Sequence, residues 1–542
     1  MKKRILLSST VVALAVWALV QAPAPPAGLA GYLPPGPLLV LEARDFGALV
    51  RGWNASPEKA AWLDSDNHAV FSRSRLYLRL TEAHTEFAAA AGLPASMELL
   101  DSVAGSEAAL ALYDIGNLQF LYITRLPSAR ALETALWKAR SSYETRNAAG
   151  FDYFVRTDPA SRRVAAFAAA QDYLLLATRE DLIAGALTLL AGRPAATVTG
   201  ERWYAESVRA GGAPGDLRLV MNLTSLVRSP YFRSYWVQQN VSEVRQFGAA
   251  IADIRRAAGQ IREERVLLRF DRSEAAEDRT SAAIAGALRL VPEGAGLYRA
   301  WAKPAPSDAI KLLYAKIVAP GPGASPPSLT APPAVYNGIA GSESDLETRI
   351  DEPPLDTSGE AALPAAVRAL IEGAPLESML EVASSRSAPG GVFVGIDTAV
   401  VLVATSDWDA TAVRSAFGRA PESGPLGRLT AESHGRVLIA ANSAELARQI
   451  AARLQAPAAS PPATYAAEFR HAAERARFVQ IMRLIDHAAG RPEAEGSERE
   501  PRFFTDNIGS LSAALARVES SSLVIRDTGP AVLETVTYRL AK

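Results

Sequence analysis

Two short motifs near the N-terminal end contain residue types that serine acyl-enzymes use. Ser56-Pro57-Glu58-Lys59 matches S-x-x-K, and Ser65-Asp66-Asn67 matches S-D-N. In the serine enzymes of cell-wall metabolism a K-T-G element completes such a site, and the motifs meet across a cleft from distant parts of the sequence. Here a few residues separate the two motifs and no K-T-G follows. We therefore expect Ser56 to cap a helix whose first residue is Pro57.

The sequence predicts neither a metal site nor a cofactor. Asp64, Asp66 and His68 resemble the start of a calcium loop, but Ala69 occupies the place of the required glycine and Arg75 that of the bidentate acid. Each of the five histidines stands alone, and cysteine is absent, which excludes disulfides and thiolate ligands. The sequence also contains no G-x-S-x-G elbow, Walker loop or H-E-x-x-H motif.

Two segments combine aromatic and arginine side chains, the residue types that anchor many protein and glycan interfaces. One runs from Trp53 to Arg79, and the other is Arg228–Trp236. The alternative is that the aromatic rings are core residues and that the arginines extend from the core to solvent. The candidate partner-binding residues are Trp53, Trp62, Arg73, Tyr231, Phe232, Arg233, Tyr235 and Trp236.

The overall composition is that of a globular protein with more than one domain. A chain of 542 residues exceeds the size of one ordinary core, and 49% hydrophobic with 21% charged residues excludes wholesale disorder. The 57 basic and 58 acidic side chains nearly balance, so no basic excess points to a nucleic-acid partner.

The first 30 residues predict export. Lys2, Lys3 and Arg4 precede an uncharged, mostly apolar run at 5–20, followed by a Pro-rich spacer, and this pattern is typical of a signal peptide or a signal anchor. If it is retained, residues 5–22 would form a transmembrane helix in the inner membrane, with the rest of the chain on the outer side. If it is cleaved, the mature protein would be periplasmic, and both alternatives remain open.

One strand-then-helix unit occurs twice in the sequence. Asp172–Leu190 reads as a buried strand followed by an amphipathic helix, for which Thr178 is the predicted N-cap. Arg436–Leu454 repeats the pattern with Asn442 at the cap position.

Other segments repeat in the same order, at an offset of roughly 260 residues at both ends that rises in the middle, where a linker intrudes. Leu33–Asp45 parallels Val291–Lys303. The predicted hairpin of Glu107–Tyr113 and Leu118–Arg125 parallels Val392–Ala404, with a turn near Asp397-Thr398. The paired strands Gln246–Arg256 and Gln260–Asp271 parallel Ser510–Arg526 and Ala531–Leu540. Outside the repeated segments, Leu76–Leu80 reads as a strand.

These repeats predict an α+β fold of two tandem, structurally similar halves, each a mainly antiparallel sheet covered by helices. The halves would be 31–290 and 291–542. A Pro-rich and acidic linker at 319–360 lies inside the second half and is predicted to be disordered.

Three segments carry a resemblance to a known family: Tyr32-Leu33-Pro34-Pro35-Gly36, Trp53–Lys59 and Tyr113-Asp114-Ile115-Gly116-Asn117. In these the chain resembles an uncharacterised family of bacterial cell-envelope proteins, catalogued only as a domain of unknown function. The resemblance implies export and supplies no activity, cofactor or site residue.

The sequence therefore favours a non-catalytic protein of the cell envelope that binds or scaffolds an unidentified protein, glycan or lipid, through the groove between its halves. One alternative is an envelope hydrolase with a dispersed site, which a pocket holding several groups of perturbed pKa would indicate. Another is a lipid-handling periplasmic protein, which an enclosed apolar cavity would indicate.

Overall fold

The computed structural model describes most of the chain between residues 28 and 541. The described residues are 28–65, 68, 72, 75–93, 102–131, 133–229, 244–270, 278–318, 363–387, 393–418, 429–458, 460–475 and 517–541. The predicted signal segment and the predicted linker at 319–360 lie outside them. Within the described ranges, no helix is both long and apolar enough to cross a membrane.

Apolar residues, alternating with polar ones in some segments and continuous in others such as Tyr173–Ala177 and Val437–Ala441, form strands throughout the described residues. The strands are β1 (Leu39–Ala43), β2 (Ala108–Asp114), β3 (Gln119–Arg125), β4 (Glu144–Ala148), β5 (Phe151–Thr157), β6 (Val164–Ala170), β7 (Tyr173–Ala177), β8 (Leu217–Met221), β9 (Phe247–Ala257), β10 (Gln260–Arg269), β11 (Leu297–Ala302), β12 (Leu376–Ser387), β13 (Phe393–Ala404), β14 (Thr430–His434), β15 (Val437–Ala441), β16 (Tyr465–Phe469), β17 (Val518–Asp527) and β18 (Ala531–Leu540).

Helices connect many of these strands. They are α1 (Phe46–Asn54), α2 (Pro57–Leu63), α3 (Arg75–Ala91), α4 (Ser128–Ala131), α5 (Ala135–Lys138), α6 (Glu180–Leu190), α7 (Arg202–Ala210), α8 (Leu223–Leu226), α9 (Ile284–Leu288), α10 (Pro306–Leu313), α11 (Ala365–Glu372), α12 (Ala410–Phe417) and α13 (Ala444–Ala451). The chain is thus a mixed α+β protein, as the sequence predicts.

The described strands form one large sheet in which every pairing is antiparallel. From one edge, the strands before residue 290 follow the order β4-β5-β6-β7-β3-β2-β1-β8-β9-β10. The strands after it continue as β18-β17-β16-β11-β12-β13-β15-β14. The pairing of β10 with β18, in register from Gln260↔Arg539 to Leu268↔Ala531, joins the two portions. We call this pairing the seam.

Residues directly opposite each other in neighbouring strands share a face of the sheet, so the register identifies two faces. Face A carries an unbroken cross-strand row, and we name it by that row. The row consists of Phe154, Phe167, Leu176, Tyr122, Leu110, Leu41, Leu219, Ala252, Arg265, Glu534, Ile525, Tyr465, Trp301, Met379, Leu402 and Leu438. Face B is the opposite face, on which Val40, Ile251, Ala300 and Ile439 lie.

Helices cover both faces on either side of the seam. On face A, α3, α4 and α5 pack around Phe167 before the seam, and α10, α11 and α12 pack around Leu402 after it. On face B, α6 and α7 pack on the first portion, and α9 and α13 pack on the second. The sheet is therefore the middle layer of three, as expected when both of its faces are apolar.

Several local sequence predictions are wrong in an informative way. Leu76–Leu80 belongs to helix α3, because the apolar residues there follow helical as well as alternating spacing. Asp397 and Thr398 lie inside strand β13, so the predicted turn is not at these residues.

The predicted helix caps are also wrong. Arg179 precedes α6, and Ser443 caps α13 by accepting the Leu446 N–H. The hydroxyl of Thr178 instead accepts the Phe120 N–H, and the amide oxygen of Asn442 accepts the Thr398 N–H. Both side chains thus attach the start of a helix to the neighbouring strand, β3 or β13.

A buried ion pair holds the middle of the first portion together on face B. Arg218 and Asp253 lie opposite each other on β8 and β9, and their side chains are 5% and 3% exposed. The guanidinium donates to both carboxylate oxygens at 2.8 Å, and the Gly215 N–H donates to Oδ1 at 2.9 Å. Burial raises the pKa of the neighbouring Glu42, while its hydrogen bond to Tyr204 and the charge of Arg218 act in the opposite direction.

We expect Asp253→Ala to lower the free energy of unfolding by about 3–5 kcal/mol, because the change leaves the buried Arg218 guanidinium without its carboxylate. The measurement is urea denaturation followed by circular dichroism. The matched control is Arg202→Ala, which removes an ion pair with Glu206 from a side chain that is 86% exposed. The control should cost at most about 0.5 kcal/mol, and equal losses in the two variants would contradict this account.

Candidate functional site

A concave pocket lies on face A of the second portion, next to the seam. Its volume is about 910 Å³. Three groups of residues line it: the end of β11 with the turn into α10, one side of α10, and the adjoining ends of β16, β17 and β18. The lining residues are Arg279, Trp301, Ala302, Lys303, Pro304, Ala305, Asp308, Lys311, Leu312, Ala315, Met379, Thr464, Tyr465, Ile525, Asp527 and Val532. We call it the α10 pocket.

The turn after β11 creates the pocket by leading α10 back across the sheet. Lys303 has a left-handed backbone (φ 46°), and its N–H donates to the Glu377 carbonyl at 2.9 Å. Pro306 then begins α10 at the position where proline is favoured. Helix α10 buries Ala309, Ile310 and Leu313 against the sheet. Its other side faces the pocket.

The floor of the pocket is apolar and aromatic. Met379, Trp301, Tyr465 and Ile525 are consecutive members of the face A row, one from each of four neighbouring strands. The rings of Trp301 and Tyr465 meet edge to face, with centroids 5.4 Å apart. Such pairs add about 0.5–1.5 kcal/mol beyond the area that they bury. The floor is therefore a rigid apolar track across the strands.

The mouth of the pocket carries charged side chains of both signs, with cations in excess. The cations are Arg279, Lys303 and Lys311, and the carboxylates are Asp308 and Asp527. Arg269, from β10 across the seam, forms hydrogen bonds to Asp527 at 2.6 and 3.0 Å. Arg269 neutralises the charge of Asp527. The other charged residues of the lining are three cations and the carboxylate of Asp308, so their formal charges sum to a positive value.

The ionisable groups of the lining whose pKa departs from the ordinary value are held in one protonation state. Burial by itself would raise the pKa of Asp527, but hydrogen bonds from Arg269 and the Gly529 N–H, with the charges of Arg269 and Arg279, lower it below its ordinary value. Burial raises the pKa of the Tyr465 phenol. Near neutral pH the carboxylate stays ionised and the phenol stays protonated.

Beside the pocket, the buried carboxylate of Glu381 pairs with two cations. It lies near the π-helical turn Tyr314–Val318, which continues α10. Glu381 is 1% exposed and pairs with Arg299 on β11. Residues Tyr314–Val318 form a π-helical turn, from which Lys316 Nζ reaches Glu381 Oε1 at 3.2 Å. Arg299 Nη1 lies 3.6 Å from Glu381 Oε2. The two cations outnumber the carboxylate and add positive charge beside the track.

A second concavity of about 500 Å³ lies before the seam, at the ends of β8, β9 and β10. Helix α7 supplies Arg202, Trp203 and Glu206, and the lining also includes Arg269, which pairs with Asp527 of the α10 pocket. Its acid Glu201 accepts hydrogen bonds from the Trp203 indole at 2.8 Å and from the Gly36 N–H at 3.0 Å. The carboxylate of Glu201 thus ties α7 to the turn before β1.

The serine motif has the structural role that the sequence predicts. Ser56 caps α2 by accepting the Lys59 N–H at 3.1 Å, and its own hydroxyl donates to the Trp53 carbonyl. The Lys59 ammonium is directed to Asn54 at 2.7 Å. Within the described ranges, no group of three or more histidines or carboxylates is arranged to hold a metal ion.

The structure describes two of the predicted partner-binding residues. Trp53, at the end of α1, is half exposed, and Trp62 packs edge to face on His68 with centroids 6.0 Å apart. The other six lie outside the described residues, namely Arg73, Tyr231, Phe232, Arg233, Tyr235 and Trp236.

Sequence reasoning missed the α10 pocket. Trp301 lies in an alternating strand, and the residues that complete the floor come from more than 70, 160 and 220 positions away along the chain (Met379, Tyr465 and Ile525). The alternation around Trp301 could have placed it on the same face as Arg299. Only the strand pairing brings the other residues to it.

Comparisons with known proteins leave the chain without a family assignment. No family model matches it, and no curated protein matches its sequence, which agrees with the expectation of an uncharacterised family. Among solved structures it is similar to crystal form III of TP0453 (11% identity, TM-score 0.23, covering 46% of this chain and 81% of that one) and to crystal form IV (9%, 0.24, 44% and 79%). TM-scores of this size do not establish a shared fold.

The Arg269–Asp527 ion pair at the pocket mouth should make the free energy of unfolding fall as the pH is lowered into the acid range. Because the folded-state pKa of Asp527 lies below the ordinary 3.8, its ionised form stabilises the fold above about pH 4, and this stability is lost as the pH falls through the folded-state value. We expect Asp527→Asn to cost about 1.5–3 kcal/mol near neutral pH, the range for a charge-assisted hydrogen bond. The difference from wild type should shrink below about pH 4. Urea midpoints measured across this range test the prediction.

The matched variant is Arg269→Met, which keeps the carboxyl and removes the hydrogen bonds and the charge of Arg269, while the Gly529 N–H and the charge of Arg279 remain. The pKa of Asp527 should therefore rise from its wild-type value, and acid should remove less of the stability that this carboxyl supplies. Parallel pH profiles for wild type, Asp527→Asn and Arg269→Met would show that the pair does not control acid stability.

Proposed function

We propose that this chain is a non-catalytic, exported protein of the cell envelope that binds a partner in the α10 pocket. The observation that carries the proposal is the apolar, aromatic floor formed by Trp301 and Tyr465, open to solvent beneath α10. Pockets of a few hundred to a thousand Å³ with an apolar lining and a few placed polar groups are the usual form of a small-molecule site.

Binding fits the lining better than hydrolysis does. A general acid or base works best when its pKa lies near the working pH. The ion pair with Arg269 lowers the pKa of Asp527, and burial raises that of Tyr465, so both values are displaced away from neutrality. Asp527 and Tyr465 therefore suit orienting a bound partner rather than exchanging protons with it.

Export is proposed from the N-terminal sequence. Lys2, Lys3 and Arg4 before the apolar run at 5–20 direct the following chain across the inner membrane. On this proposal the pocket faces the periplasm, whether the segment is cleaved or retained as an anchor.

We also propose that the two portions of the sheet arose by duplication. The order β6-β7-β3-β2-β1-β8-β9-β10 before the seam and the order β14-β15-β13-β12-β11-β16-β17-β18 after it correspond strand by strand. The corresponding bonds of Thr178 and Asn442 to strands β3 and β13 support the same view. Strands β4 and β5 extend the first copy beyond the strands that the described residues form in the second.

The aromatic segments at 53–79 and 228–236 remain proposed partner surfaces. Trp53 supports this for the first segment, because a half-exposed tryptophan at a helix end offers apolar area to a partner. No described residue of the two segments lines the α10 pocket, so each proposal can be tested by its own variants.

The test is binding of N-phenyl-1-naphthylamine, a neutral apolar dye, to the full chain. We expect saturable binding by wild type and binding weaker by about tenfold or more in Trp301→Ala, since one large aromatic contact exceeds the roughly 1.4 kcal/mol that tenfold represents. Ala315→Trp should weaken binding equally by filling the pocket from an exposed helix position, where substitutions rarely change stability by more than about 0.5 kcal/mol.

Trp53→Ala is the matched control and should bind the dye like wild type. Equal binding by wild type, Trp301→Ala and Ala315→Trp would contradict the proposed site. Loss of binding in Trp53→Ala alone would move the site to the first aromatic segment.

A further inference from the structure

We infer that the α10 pocket selects a single-chain anionic amphiphile, with the apolar chain on the track and the anionic head among the cations at the mouth. This inference rests on the proposed binding function and adds the chemical class of the ligand. The carrying observation is that one pocket combines an apolar floor with three cationic side chains, Arg279, Lys303 and Lys311.

The shape of the floor suits an extended chain. Met379, Trp301, Tyr465 and Ile525 come from four consecutive strands, so three inter-strand spacings separate the ends of the track, about 14 Å in all. Val532, from β18, continues the apolar surface toward the seam. A linear hydrocarbon lying across the strands can contact the partly exposed side chains of Trp301, Tyr465 and Ile525, while Met379 is 2% exposed and supports them from below.

The charges at the mouth select the sign of the head group. Arg279, Lys303 and Lys311 face the pocket from the segment before α9, the turn after β11 and α10. Arg269 neutralises Asp527, and two further carboxylates lie near the three cations: Asp308 in the lining and Asp278, which interacts electrostatically with Lys303. An anionic head group at the mouth is attracted electrostatically by these cations, and the attraction is strengthened by the low dielectric constant of the apolar floor. A cationic head group would be repelled.

The floor and the mouth together disfavour other ligand classes. A glycan needs many directed hydrogen bonds, and the polar side-chain groups of the floor are the Tyr465 hydroxyl and the Trp301 indole N–H, among apolar side chains. A cationic amphiphile would fit the floor and meet the wrong charge at the mouth. An anionic amphiphile is complementary to both parts.

The experiment compares three ligands with the same chain: dodecanoate, dodecanol and dodecyltrimethylammonium, each below its micelle concentration, titrated calorimetrically into the full-length protein. We expect dodecanoate to bind about tenfold or more tightly than the other two. Shortening the chain to decanoate should weaken binding by roughly fourfold for each methylene lost from the track.

Variants separate the roles of mouth and floor. The double change Arg279→Glu, Lys303→Glu should remove or reverse the preference for dodecanoate and leave dodecanol binding within about twofold of wild type. Trp301→Ala should weaken all three ligands together. Arg448→Glu reverses an exposed charge on α13, on face B, and is the control that should change none of them.

The outcomes distinguish this inference from the proposed function. If N-phenyl-1-naphthylamine binding depends on Trp301 but dodecanoate and dodecanol bind equally, the charge selection is wrong and the pocket remains a binding site. If neither the dye nor any amphiphile binds, the proposed function fails. If phosphatidylglycerol vesicles sediment wild type and Ala315→Trp equally while dodecanoate does not bind, a membrane surface replaces the single-chain ligand and overturns the inference.

Discussion

The backbone pairing of β10 with β18 is the interaction on which the rest of the architecture depends. Each strand is 10 residues long and is paired on its other side with the preceding strand of its own hairpin. Without the seam, each portion would expose a long, partly apolar edge, which is a template for aggregation. With the seam, the sheet ends at the short strands β4 and β14 of 5 residues each. The charged Glu144 and Arg146 on β4 further protect that edge.

The seam also determines where a pocket can form. The helices pack against the sheet in four clusters, two on each side of the seam. At the centre of face A, Arg265 and Glu534 form an ion pair across the seam at 3.3 Å. An apolar helix face would not pack favourably on these charged side chains. Beside it, the Arg269–Asp527 pair closes the end of β17. The α10 pocket lies between these polar positions and the helices of the second portion.

Local signals in the sequence predicted the elements that depend on local periodicity. The long strand pairs around Gly259 and Gly529, the strand-then-helix unit ending at Leu190, and the cap formed by Ser56 all follow from spacing and turn chemistry. Two predictions of helix caps were wrong because tertiary contacts override the local signal. Thr178 and Asn442 have the right chemistry for helix caps, but each side chain bonds to a strand that is distant in sequence.

The candidate site was beyond local signals for the same reason. Clusters of arginine and aromatic residues in the sequence indicate candidate sites directly. The pocket floor, by contrast, takes one residue from each of four strands. Each of the four strand segments, taken alone, has the composition of an ordinary half-buried strand. The register that assembles Trp301, Tyr465 and Ile525 on one face is a property of the whole sheet, and no window of the sequence contains it.

The proposed duplication gives a reason why the pocket belongs to the second copy. In the sequence correspondence of Leu33–Asp45 with Val291–Lys303, Ala43 matches Trp301 and Asp45 matches Lys303. Asp45 caps α1 by accepting the Ala48 N–H at 2.8 Å, a structural role. In the second copy α10 begins with Pro306 and has no side-chain cap, so the matching position is free to carry a cation at the pocket mouth. On the proposed duplication, the position that caps a helix in one copy therefore carries a cation of the pocket mouth in the other.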